Sequence, residues 1–151
     1  MVRLNKQSNR GFTLIEMMMV VALLAFLAAI SAPYYLSFVR RNDLSVAARA
    51  VALAMQNAEI HSQGILLDQP WSVRVAQGAV TMYKGTNFAT RDQAWDIETK
   101  ISSSLTLSGT TDFTFSRGTG FPQSATSVTL KNINNETRTV SVNAKGIVDI
   151  Q

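Results

Sequence analysis

Hydrophobic positions dominate the first quarter of the chain and then thin into periodic patterns. From Leu14 to Ala32 only Glu16 and Ser31 are polar, and apolar character continues to Val39 across Pro33 and Ser37. At about 1.5 Å per residue a helix of this length reaches roughly 30 Å or more, enough to cross a bilayer once. Met17, Met18 and Met19 suit a helix packed on copies of itself as well as one facing lipid, because methionine fills irregular gaps. Pro33 lacks a backbone donor and predicts a kink or a loosened turn. Arg40, Arg41, Asn42 and Asp43 then form a polar collar where the helix would leave the headgroup region.

Beyond the collar, Leu44, Ala47, Val51, Met55 and Ala58 recur at three- and four-residue steps, with Arg49, Gln56, Glu59 and Gln63 around the rest of the helix. That spacing predicts an amphipathic continuation ending near Gly64. The alanines at 47, 48, 50, 52, 54 and 58 would let a sheet approach the helix closely. From Trp71 the period changes to two. Val73 and Val75 face Val80 and Met82 across a Gln77-Gly78 turn, which predicts a first hairpin. Trp95, Ile97, Thr99 and Ile101 alternate with polar residues, as do Leu105 and Leu107, then Phe113 and Phe115. Val128 and Leu130, an Asn132 to Glu136 turn, Val140 and Val142, a Lys145-Gly146 turn and Ile147 to Ile150 complete the pattern. Six to eight short antiparallel strands follow, with longer loops at Lys84 to Ala94 and Gly118 to Ser127. The expected fold class is α+β: a long N-terminal helix with a transmembrane half and an amphipathic half, packed on a small antiparallel β head like a lollipop.

Charge adds a direction. Met1 to Gly11 carries Arg3, Lys6 and Arg10 with no acid, so this end should stay cytoplasmic while the apolar run enters the bilayer. A secretory signal has the opposite order, its apolar region preceding a small-residue cleavage site. The chain contains no cysteine, so an exported head would rely on its core and its neighbours for stability.

The junction Gly11-Phe12-Thr13-Leu14-Ile15-Glu16, with its basic leader and uninterrupted apolar run, closely resembles the class III leader of type IV prepilins and pseudopilins. The resemblance implies cleavage by a prepilin peptidase between Gly11 and Phe12, N-methylation of Phe12, and a role for Glu16 in assembly. A carboxylate in an apolar helix costs about 2.5 to 3.5 kcal/mol on insertion scales, so it needs a partner. Cleavage would supply one in the new Phe12 amine, either its own or that of an adjoining subunit; the family favours the second pairing. Methylation keeps the positive charge. Type IV pilins similarly carry a proline where Pro33 stands. Leader removal takes three positive charges from the formal net of +4 and leaves +1, so the basic composition says little about nucleic acid.

The helix end Ala58-Glu59-Ile60, the segment Phe113 to Gly120, and the terminal Val140-Ser141-Val142 with Gly146-Ile147-Val148 together resemble the GspH/FimT group of minor pilins and pseudopilins. Some members of that group bind DNA through a C-terminal Gly-Arg-x-Arg loop. Here the matching place reads Gly146-Ile147-Val148-Asp149, two cations short and one acid richer, which argues against nucleic acid as a partner. The expected divisions are a leader at 1–11, a transmembrane and filament-core helix at 12–39, an amphipathic helix at 40–64 and a β head at 65–151. The implied protein is a single-pass inner-membrane subunit with its head outside the cytoplasm. It would then enter a periplasmic or extracellular filament of a type IV pilus or type II secretion machine. Prepilin peptidase, other pilin subunits and an inner-membrane assembly platform are the implied partners. A competence or adhesive pilin whose head binds DNA or a surface is the alternative.

Other chemistry is thin. His61, Ser62 and Asp68 are hydrolase residue types, but they crowd a helix end with no nucleophile elbow. One histidine and no cysteine do not suggest zinc. Asp92, Asp96 and Glu98 could form a calcium loop, although solvated surface charge is the plainer reading. No phosphate loop is present, since Arg117-Gly118-Thr119-Gly120 lacks the lysine and spacing. Trp71 and Trp95 read as packing residues, and Arg117 as an exposed side chain or a partner contact. No catalytic residue, cofactor or metal is expected.

Overall fold

Thr13 starts the first element. Its side-chain Oγ1 accepts from the Glu16 backbone N at 3.3 Å, which caps α1, the helix Leu14–Gln63. The structure, a computed structural model, describes residues 11–64 and 68–151, and for residues 31–33 the backbone alone. Arg3, Lys6 and Arg10 of the leader lie outside the described residues, as does the Pro33 side chain; α1 is helical through that position. Contacts divide the chain into Met1–Ser37 and Phe38–Gln151.

In the first unit the described apolar side chains of α1 are exposed around the whole helix. In the second, α1 buries one stripe. Leu44, Ala47, Ala48, Val51, Met55 and Ala58 join strands from both sheets in one core cluster. The small alanines at 47, 48, 52 and 58 are all buried there. The stripe stops where Gly64 N donates to Ile60 O at 2.9 Å, one last helical bond.

Two antiparallel four-stranded sheets make up the head. The first contains β1 (Trp71–Ala76), β2 (Ala79–Lys84), β3 (Ile97–Lys100) and, after β4 (Thr106–Gly109), β5 (Asp112–Phe115), in the order β3-β2-β1-β5. The second runs β4-β6-β7-β8, with β6 (Thr126–Lys131), β7 (Thr137–Val142) and β8 (Val148–Ile150). The predicted hairpin forms in its expected register, with Val73 opposite Met82 and Val75 opposite Val80. Phe113 and Phe115, Val128 and Leu130, and Val140 and Val142 are the alternate positions that turn into the core.

Two departures from the alternating pattern have physical causes. Ser72, Thr81 and Tyr83 are buried although they lie on the face opposite Val73 and Met82. The loop after β2 accounts for Tyr83: Phe88 meets it edge-on at 5.2 Å, and Phe88 is itself stacked by Arg91 at 3.5 Å and by Arg74 at 4.5 Å. Conversely, every residue of β3 is exposed, and Trp95 belongs to a short 3₁₀ turn rather than to the strand. The Ile97 alternation marks an edge strand that lacks a core face, and Glu98 and Lys100 supply the charge that such an edge carries.

Candidate assembly and membrane site

The N-terminal end of α1 has the form of a helix start and the exposure of an interaction surface. The spacing Thr13-x-x-Glu16 is that of a capping box, with Glu16 in the first turn, where the helix dipole favours an acid. Gly11 has open space around its Cα. Phe12 is 80% exposed, and Leu14, Ile15, Met18 and Val21 are more than half exposed. A large apolar surface around an entire helix calls for lipid or for other helices. Among the described residues, α1 is the one helix long and apolar enough to cross a membrane.

At the other end of α1, Ser62 is fully buried and its hydroxyl has no freedom to attack a substrate. It donates to Phe115 O at 3.2 Å and accepts from Trp71 N at 2.9 Å, stitching the helix to β5 and β1. His61 packs edge-on against Trp71 at 4.8 Å, while Asp68 pairs with Arg117. The three hydrolase residue types thus serve separate contacts. The Arg117 side chain is half exposed and held by that ion pair. Of the acids weighed for calcium, Asp96 takes two bonds from Arg91 Nε, and Asp92 caps the 3₁₀ turn through Ala94 N while lying 3.9 Å from Lys84. Among the described residues no group of three or more metal-ligating side chains comes together.

The collar residues reach across to the head. Arg40 Nη1 donates to Asn134 Oδ1 at 3.1 Å and Arg41 Nε to Glu136 Oε1 at 2.6 Å, so both hold the β6–β7 turn. The Asn132 amide, followed by Arg41, holds the Glu136 carboxyl below the usual carboxylate range. Burial pushes Glu59 the other way, against a hydrogen bond from Gln63.

The family model described as the prokaryotic N-terminal methylation motif matches residues 6–32. Fimbrial protein EcpC of Eikenella corrodens is 50% identical over 42 residues, and type IV major fimbrial protein FimA of Dichelobacter nodosus is 48% identical over 40. These matches cover only about a quarter of either chain, 28% and 26% respectively. The rest is reached by structure: the minor pseudopilin EpsH from the type 2 secretion system of Vibrio cholerae superposes with a TM-score of 0.54. That superposition covers 72% of this chain and 96% of EpsH, at 13% identity, a likeness of fold. The N-terminal segment of this chain is that of a type IV pilin-like prepilin.

In this pilin-like chain, sequence reasoning treated Glu16 as a charge awaiting a partner and overlooked its local place. The Thr13-x-x-Glu16 spacing was the available signal, and it gives the first turn of α1 a cap whether or not the leader is cut. Ser62 was missed as a structural residue, because nothing adjacent in sequence indicates that β1 and β5 end against it. In the Gly146-Ile147-Val148-Asp149 segment Gly146 is buried in the turn before β8, Ile147 is exposed, and Val148 and Asp149 already belong to β8.

Proposed function

We propose that this chain is a structural subunit, a minor pilin or pseudopilin, assembled through its N-terminal helix and performing no catalytic step. The observation that carries the reading is the methylation motif placed on an exposed apolar helix that leads into an EpsH-like head. The precursor sits in the inner membrane by a single span with its head outside the cytoplasm. A prepilin peptidase cuts between Gly11 and Phe12, and the new amine is methylated. The charged amine of one subunit then pairs with Glu16 of its neighbour, replacing lipid around two costly charges with each other. Pro33 lacks one helical hydrogen bond, which gives α1 a place to loosen as subunits stack. An assembly platform in the inner membrane draws the subunit into a filament with other pilins.

The test is co-expression with a pilin assembly system, followed by shearing and sedimentation of filaments. The chain is expected in the filament fraction, and a Gly11→Val precursor, which the peptidase should not cut, is expected to stay in the membrane. A wild-type chain that never leaves the membrane would overturn the reading.

A further inference from the structure

Two adjoining clefts of about 290 and 420 Å³ lie between α1 and the strands β7 and β8, and they share Ser45 and Arg138. Arg41 lines the first and Arg49 the second. The charges are unequally satisfied. Arg41 is neutralised by Glu136, whereas Arg49 and Arg138 have no ion-pair or hydrogen-bond partner among the described residues. Glu136 lines the first cleft together with Arg138 and also interacts with it electrostatically. Two guanidinium groups without a direct side-chain pair line the second cleft and suit a phosphodiester, because the planar fork can donate two parallel hydrogen bonds to phosphate oxygens.

The location selects the source of that phosphate. Arg40 and Arg41 directly follow the apolar stretch in sequence, where headgroups begin for a single-span helix. Arg49 stands eight residues further along α1, about 12 Å, and helical side chains tilt toward the N-terminal end, which here is the membrane side. Arginines at this level can fork onto the phosphate of an anionic headgroup.

We propose that the Arg49–Arg138 cleft binds the headgroup phosphate of an anionic phospholipid before assembly. The inference rests on the membrane reading of α1. Arg41, already paired, holds the β6–β7 turn beside Arg138, and Ile150 gives the cleft an apolar wall that accepts the glycerol carbons.

The experiment is native mass spectrometry of the full chain released from detergent micelles holding equal amounts of phosphatidylglycerol and phosphatidylcholine. The wild-type chain should retain phosphatidylglycerol preferentially. Arg49→Gln with Arg138→Gln should lower that retention about tenfold or more, leaving phosphatidylcholine unchanged, and the lysine pair Arg49→Lys with Arg138→Lys should keep most of the preference. Unaltered thermal melting of the head shows that a loss is local; if the glutamine pair melts early, the lysine pair and a titration with salt decide, since the preference should fall as salt rises. Equal retention by wild type and glutamine variant would overturn the proposal. Displacement by millimolar inorganic phosphate would assign the cleft to a soluble anion, and displacement by a DNA duplex would assign it to a polynucleotide; either result contradicts a lipid source. Alkaline extraction of the chain from membranes would instead sink the membrane reading, which separates the two failures.

Discussion

Arg41 Nε donates to Glu136 Oε1 at 2.6 Å, tying α1 to the β6–β7 turn across 95 positions of sequence. Arg41 is 71% exposed, so water screens the pair, and its value lies in fixing the turn more than in raw stability. Glu136 is held below its ordinary pKa, first by Asn132 and then by Arg41. A depressed carboxylate contributes stability above its unfolded pKa and loses it as pH falls through the folded value. Glu136→Gln should therefore melt below wild type near pH 7, and the gap should close on acidification past the usual carboxylate range. A gap that stays constant to low pH would remove the charge from the explanation.

Ser62 joins α1 to both β1 and β5 through one buried hydroxyl. Ser62→Ala strips two hydrogen bonds from buried backbone, and a buried group left without a partner costs about 1 to 3 kcal/mol. Chemical denaturation should show a loss in that range, while Ser104→Ala, at an exposed residue, should change little. Equal effects would mean that Ser62 is an incidental passenger.

Gly109 and Gly118 share the left-handed backbone region, with φ of 93° and 83°, but not their surroundings. A Cβ at Gly118 meets open space, so Gly118→Ala should cost only the backbone strain, about 1 to 2 kcal/mol. A Cβ at Gly109 would lie 2.6 Å from the Ser127 carbonyl oxygen, which is backbone and has little room to move. Gly109→Ala should thus be clearly the more destabilising and should disturb the β4–β6 pairing, as amide hydrogen exchange would report.

Glu16→Ala should still insert in the membrane but enter filaments at least about tenfold less, the scale of a lost charged hydrogen bond. Because Glu16 also sits in the capped first turn, Thr13→Ala is the control. It removes the cap, worth about 1 kcal/mol of helix stability, and spares the carboxylate. Assembly that fails equally in both variants would move the role of Glu16 from intersubunit pairing to helix initiation.

Much of the fold was legible because it depends on period and punctuation. Leu44 to Ala58 declared a helical stripe, and Val73 to Met82 declared a hairpin around a turn. Ile97 misled because alternation reports which residues share a face but not whether anything covers that face; β3 is an edge strand whose four residues are all exposed. Tyr83 misled in the opposite sense, since Phe88 arrives from a loop whose path no local pattern encodes. At the candidate site, the Gly11-Phe12 junction and Glu16 were readable as a contiguous motif. Arg41 with Glu136 and Ser62 with Phe115 were not, because each pair meets only after distant segments have folded together.

The central claim is that this chain is a processed filament subunit, and intact-mass spectrometry of the membrane-extracted protein tests it most directly. Co-expression with a prepilin peptidase should yield a chain that begins at Phe12 and carries one added methyl group, while expression without the peptidase should yield the uncut precursor. A chain that keeps Met1 to Gly11 in the presence of an active peptidase, or that is cut at another position, would contradict the account.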